Sequence, residues 1–165
     1  MHQRSHVDQP SHVDQQEEIA VTVKRILEAR EGIPPASIPP DAPIRDAVDS
    51  LSDKNIGALV VSTDGLKVQG ILSERDIVRG LKTDGTALLD RPVRELMTEK
   101  VITCVAEDSA AGVMARMVRR HIRHMPVVED DHFVGMVSIR DLALLRLNEV
   151  QAEAEAMRHY IAGDL

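Results

Sequence analysis

The chain has 165 residues, enough for one compact domain or two small halves packed closely together. Its 20 basic and 27 acidic residues leave a net charge of −7, which argues against an electrostatic footprint for nucleic acid. Aromatic residues make up only 1%, so the stacking platforms of single-strand binders are missing too, and the 43% of apolar residues must build an aliphatic, methionine-filled core.

Cys104 is the sole cysteine, so no intrachain disulfide can form, and a reducing, cytoplasmic setting fits. The first residues have no signal-type apolar core, and no apolar run approaches membrane-spanning length. The reading is therefore a cytoplasmic protein with no membrane and no nucleic acid among its partners.

Residues 1–16 are polar and hold a near-tandem element, Ser5-His6-Val7-Asp8-Gln9 and Ser11-His12-Val13-Asp14-Gln15. A metal site would use His6, His12 and the nearby aspartates; composition favours a disordered tail. Residues 17–32 carry a helical stripe, Ile19, Val23, Ile26 and Leu27, ended by Gly32 and the Pro34-Pro35 pair.

Two similar units follow, at 33–90 and, with its linker, 91–147. Each begins with a short extended segment, Ala36-Ser37-Ile38 or Val101-Ile102-Thr103-Cys104. An amphipathic helix comes next, over 43–54 or 109–120. Then come two strands joined by a polar turn: Ala58 to Val61 with Val68 to Leu72, and Met125 to Val128 with Phe133 to Val137. A second helix starts at Ser73 or Ser138. Between the units, Val93, Leu96 and Met97 mark a short helix. The stretch after Ser138 reads as helix to about Ala162, and 148–165 forms a C-terminal helix for packing or dimer contact.

The two units are one sequence written twice. Gly70-Ile71-Leu72-Ser73-Glu74-Arg75-Asp76-Ile77 matches Gly135-Met136-Val137-Ser138-Ile139-Arg140-Asp141-Leu142. Asp46 to Gly112 and Ile56 to Ile122 are 66 residues apart, while Gly70 to Gly135 and Asp76 to Asp141 are 65 apart. One residue was gained or lost at the turn, where Thr63-Asp64-Gly65 stands opposite Asp130-Asp131. A β-α-β-β-α unit of this size cannot cover both faces of its sheet alone. The predicted fold is α/β (α+β): two such repeats packed sheet to sheet about a pseudo-twofold axis, with a cleft on each side, plus N- and C-terminal helices.

The repeated tetrad Ser-x-Arg-Asp sits where a strand ends and a helix begins, and two readings compete. Locally, Ser-x-x-Asp is close to a capping box. As a binding corner, the helix start offers amides and a positive dipole end to phosphate, the Ser a donor, and the Arg a forked cation. The Asp, one turn on, can accept from the vicinal hydroxyls of a ribose. A base would need an apolar slot from the lead-in residues and first strand of each repeat.

From Pro35 to about Leu147 the chain resembles a tandem pair of CBS (cystathionine β-synthase) domains, a Bateman module. The resemblance rests on the Gly-h-h-Ser-x-x-Asp ends, on Arg123-His124-Met125-Pro126-Val127, and on the linker Val93-Arg94-Glu95-Leu96-Met97-Thr98. With its flanking helices the chain is similar to stand-alone bacterial members. The resemblance implies adenosine ligands: AMP, ADP, ATP or NAD. It implies that Asp76 and Asp141 hold ribose hydroxyls at two sites and that Ser73 and Ser138 contact phosphate. Arg75 and Arg140 stand at a position that varies among members. Ile38 and Cys104 would line the adenine slots. Backbone near Gly57-Ala58 and near Arg123-His124-Met125-Pro126 would read the base edge or the phosphates. It also implies a homodimer of stacked modules and a downstream protein that receives the signal.

Other features have plainer readings. Arg116, Arg119 and Arg120 share a helical face; this basic cluster reads either as a solvated face or as one from which Arg123 and His124, which leave the helix, reach a nucleotide polyphosphate or a neighbouring subunit. The methionines fill core gaps, and Cys104 is a small buried hydrophobe. No catalytic order or metal-ligand spacing is assembled, so no enzyme is predicted. The expected function is regulatory sensing of an adenosine nucleotide; the alternative is a purely architectural dimerisation unit whose tetrads only cap helices.

Overall fold

A computed structural model describes residues 21–163; the near-tandem histidine element and Ile19 lie outside them. The described chain runs α1 (Lys24–Glu28), β1 (Ser37–Ile38), α2 (Ile44–Lys54), β2 (Ala58–Val61), β3 (Gly70–Ser73) and α3 (Glu74–Asp84). Two 3-10 turns follow, Gly85–Asp90 and Val93–Glu95. Then come α4 (Ala110–Arg120), β4 (His124–Glu129), β5 (His132–Ser138) and α5 (Ile139–Ala162).

In the first repeat β1 runs parallel to β2, and β2 pairs antiparallel with β3. In the second, β4 and β5 are antiparallel, and Cys104 bridges Val127 in parallel as Ile38 pairs with Val61. The expected Val101–Cys104 strand thus shrinks to a single bridge.

The same physics ends the matching elements. Asn55 and His121, 66 residues apart, both close their helices in the left-handed region, at φ 51° and 54°. There they let the cap amide bond back into the last turn. The β4–β5 turn is tight, with Asp130 and Asp131 both at positive φ (47° and 63°), as a two-residue hairpin of primed type needs. The first repeat uses a longer loop. Asp64 there accepts from the Leu66 and Lys67 amides at 2.8 and 3.0 Å, which lowers its carboxyl to about 2, and Gly65 takes φ 74°. The one-residue offset between the repeats lies in these two turns.

Each repeat has its own core. Ile44, Leu51, Leu59 and Leu72 anchor the first; Val113, Met117, Met125 and Leu142 anchor the second. The 3-10 turn after α3, which carries no strong sequence signal, sends Leu88 into the first core at 1% exposure.

The N-terminal segment departs from expectation. The helix predicted over 17–32 forms only over Lys24–Glu28 within the described residues, and turns follow to Gly32, at φ 82°. Its apolar face does not cover the repeat that follows it. Val23 and Ile26 are buried in the core of the second repeat, while Val93, from the linker, is buried in the core of the first.

The hydrogen bonds repeat in step. Val23 and Ala110 amides donate to Asp108 and Val21 carbonyls at 3.0 and 2.9 Å; Val93 and Ile44 amides donate to Ala42 and Arg91 carbonyls, both at 2.9 Å. Val23-Lys24-Arg25-Ile26-Leu27 is therefore the counterpart of Val93-Arg94-Glu95-Leu96-Met97, 70 residues on. Each repeat is completed by the segment preceding the other.

This exchange explains the glycine opening each tetrad strand. A Cβ on Gly70 would stand 2.5 Å from Met97 Sδ and 3.2 Å from the Thr98 carbonyl oxygen; on Gly135 it would stand 2.5 Å from Leu27 Cδ2. Leu27 can swing its terminal methyl, but the Thr98 backbone cannot. Gly70→Ala is thus expected to cost about 1–3 kcal/mol and Gly135→Ala less than about 1 kcal/mol. Urea denaturation of both variants checks the order.

Candidate functional site

The sequence positions both tetrads in the same way. An extended Ser ends a strand, at φ −113° for Ser73 and −108° for Ser138, and the helix begins one residue later. The first helical amide is already used: Glu74 N–H donates to the Gly57 carbonyl at 3.1 Å, and Ile139 N–H to the Arg123 carbonyl at 2.9 Å. The helix starts are therefore less open to phosphate than the tetrad alone suggests.

Both tetrads form capping boxes. Ser73 N–H and Oγ–H both donate to Asp76 Oδ2, at 2.9 and 2.6 Å. Ser138 does the same to Asp141 Oδ2, at 2.8 and 2.7 Å, and Asp141 N–H donates to Ser138 Oγ at 3.2 Å. The cap occupies one oxygen of each carboxylate and leaves Oδ1 for something else. Capping and ligand binding are thus compatible.

The two corners differ in what that second oxygen meets. Arg30 reaches across 111 residues of sequence and donates from Nη2 to Asp141 Oδ1 at 2.7 Å, and from Nη1 to the Met136 carbonyl at 2.8 Å. Among the described residues no side chain does this for Asp76 Oδ1.

Between the corners lies His124. A Cβ on Gly57 would stand 2.9 Å from His124 Cε1, 3.0 Å from Nε2 and 3.5 Å from a Glu74 carboxylate oxygen, so the glycine leaves room for the ring. Gly57 and Arg123 are the repeat equivalents, and the ring crosses from the second repeat to the first. Burial holds the His124 imidazole below its ordinary value; Glu74 and Asp141 pull the other way, and Arg123 adds to the lowering.

The folded protein thus binds this proton more weakly than the unfolded chain does. Its contribution to stability is complete above the ordinary value of about 6.5 and is lost as pH falls through that value toward the lowered one. Urea midpoints measured from pH 5 to 8 should show this slope. His124→Gln should flatten it; an unchanged slope would assign it to other groups.

The remaining sequence candidates divide by burial. Arg75, Arg123 and Arg140 are exposed, and Gly57 is half-buried. Ile38 and Cys104, at 5% and 3% exposure, belong to the two cores, as does Met125 at 0%; Ala58 is 3% exposed and Pro126 is buried. As folded, these side chains offer a base almost no surface. Burial also pushes the Cys104 thiol up to about 11.

Arg116 pairs with Asp108 at 2.5 Å, while Arg119 and Arg120 are exposed. Two open concavities, of about 550 and 260 Å³, lie by the acidic β4–β5 turn and beside the start of α4; neither reaches a tetrad. Among the described residues, no group of three side chains is placed to hold a metal, and no helix is long and apolar enough to cross a membrane.

Two residues of this site, Arg30 and Glu74, escape sequence reasoning. Arg30 carries no local signal, and Glu74 stands where the second repeat has Ile139.

A family model for the CBS domain matches residues 23–83 and 93–148. The chain belongs to the CBS-domain family. The matches begin at Val23 and Val93, the first apolar residue of each exchanged segment to enter a core. A mitochondrial CBS domain-containing protein of Arabidopsis thaliana, CBSX3, is 36% identical over 127 residues, covering 74% of this chain and 62% of that protein. The chain thus spans less than two thirds of that relative's length.

Among solved structures, the CBS-domain protein ATU1752 of Agrobacterium tumefaciens superposes with a TM-score of 0.71 at 35% identity, covering 76% of this chain and 99% of that one. PAE2072 of Pyrobaculum aerophilum, solved in complex with AMP, gives 0.65 at 30% identity, covering 73% and 89%. The CBS pair of MJ0100, solved with 5′-methylthioadenosine and S-adenosyl-L-methionine, gives 0.69 at 28% identity, covering 79% and 98%. The mixed α+β architecture is that of CBS-domain pairs.

Proposed function

We propose that this CBS pair is a non-catalytic regulatory module that binds an adenosine ligand at its Ser–Asp corners and signals its occupancy to a downstream protein. The carrying observation is the uncommitted carboxylate oxygen of Asp76, fixed in position by a cap that uses only its neighbour. Two hydroxyls on adjacent carbons suit such a carboxylate, and Arg75 stands next to it for phosphate; Ser73 can join only by turning its hydroxyl from the cap to a phosphate oxygen. Adenosine ligands in AMP-bound PAE2072 and in MJ0100 support the ligand class. AMP, ADP, ATP and NAD are the candidates, with S-adenosylmethionine added by that comparison. A homodimer acting in the cytoplasm completes this reading.

The capping boxes are complete without any ligand, and that favours a second reading: an architectural dimerisation unit. Thermal melting separates the two. A ligand that binds only the folded state at 100 times its Kd adds about 2.7 kcal/mol, which for a chain of this length is a rise of roughly 5–10 °C. We expect that rise with at least one of AMP, ADP, ATP, NAD or S-adenosylmethionine, and none with GTP. No rise with any of them supports the architectural unit.

A further inference from the structure

The outer part of α5 carries an apolar stripe that no described residue covers. Near its start the helix turns Leu142, Leu145, Arg146 and Glu149 toward the body. From there Leu147, Val150, Ala154, Met157 and Ile161 recur at alternating steps of three and four residues. All five are exposed, the four large ones at 52%, 47%, 60% and 77%. Steps of three and four average 3.5 residues, the period of a two-stranded coiled-coil seam, with Leu147, Ala154 and Ile161 at one core position and Val150 and Met157 at the other.

We propose that this stripe pairs, parallel and in register, with the same segment of a second copy of the chain. The occupant follows from charge. Glu153 and Arg158 flank the seam on opposite sides, five residues apart. In a parallel pair that spacing sets Glu153 of each helix against Arg158 of the other, giving two equivalent ion pairs about the twofold axis. Antiparallel pairing sets like flanking positions against each other and forms neither.

Two heptads are marginal as free peptides. Here the nucleation cost is already met, because the first turns of α5 are packed through Leu142 at 0% exposure. The contact is separate from any stacking of the repeats, so the two can succeed or fail independently.

Cysteine cross-linking of the full chain tests this. Cys104 is buried and stays out of the reaction. Met157→Cys lies on the seam, and Glu155→Cys on the outer side serves as the control. Under mild oxidation the seam variant should form disulfide-linked dimer at least tenfold faster than the control. Adding Glu153→Arg should slow it several-fold, and further adding Arg158→Glu should restore the rate. Equal rates for the two cysteine variants, or no restoration by the paired reversal, would overturn the proposal. Helicity by circular dichroism confirms that each variant keeps α5.

Discussion

Deleting residues 1–30 is expected to destabilise the second repeat and leave the first nearly untouched. The deletion removes Val23 and Ile26, 0% and 7% exposed, from the core around Val113, Met117 and Val137. At about 1.5–3 kcal/mol for each fully buried aliphatic side chain, the loss is about 3–6 kcal/mol. The donor bonds from Val23 and Lys24 to Asp108 and Ala106 go as well. Ile26→Ala alone should cost about 2–4 kcal/mol.

Hydrogen exchange shows where the damage falls. Protection should drop in α4, β4 and β5, and persist in β2 and β3. Val93→Ala should give the mirror pattern. Loss of protection in the first repeat after the N-terminal deletion would contradict the exchanged arrangement.

The second large effect concerns the ligand. Asp76→Ala should weaken binding of the responding adenosine ligand at least about 100-fold, because hydrogen bonds to a charged group contribute about 1.5–3 kcal/mol each and a ribose makes two. The variant also loses its cap, so the readout is the ligand-induced rise in melting temperature, not the melting temperature itself. Asp141→Ala should matter less at low ligand concentration, because Arg30 already occupies Oδ1 of that carboxylate.

Arg30→Ala should open the second corner. The ion pair is partly exposed, with Arg30 at 45% and Asp141 at 21%, so the gain is modest, about threefold to fivefold at that site alone. Calorimetry should then resolve a second binding event or tighten an existing weak one. Unchanged titrations for Asp76→Ala would move the site elsewhere.

Much of this was legible in the sequence. The doubled tetrad fixed the architecture because a strand-to-helix corner needs the same cap wherever it occurs, and the 66- and 65-residue offsets located the turn where the repeats differ. The helix ends at Asn55 and His121 follow the same logic. What the sequence hid was contact between distant segments.

Val23-Lys24-Arg25-Ile26-Leu27 resembles its linker counterpart only in its apolar positions, and the 70-residue spacing breaks step with the rest. The sequence therefore predicts only an N-terminal helix there, and the fold makes the segment half of an exchange. Arg30 is one charged residue among many, and only the folded chain sets it against Asp141. Ile38 and Cys104 sit at the positions where the family resemblance puts an adenine slot, yet their side chains point into cores, because strand residues on the covered face must bury. The ring of His124 against Gly57 is equally invisible locally: a glycine there reads as a turn residue until the other repeat fills the space.

The most direct measurement compares AMP with 2′,3′-dideoxyadenosine 5′-monophosphate by titration calorimetry on the intact chain. The two share base and phosphate and differ only in the vicinal hydroxyls assigned to Asp76. If the corner grips the sugar, AMP binds and the dideoxy compound binds at least about 100-fold more weakly, with Asp76→Ala and Asp141→Ala together erasing the difference. Equal affinities for the two, or a preference that survives Asp76→Ala and Asp141→Ala together, would show that the carboxylates only tie the helix ends.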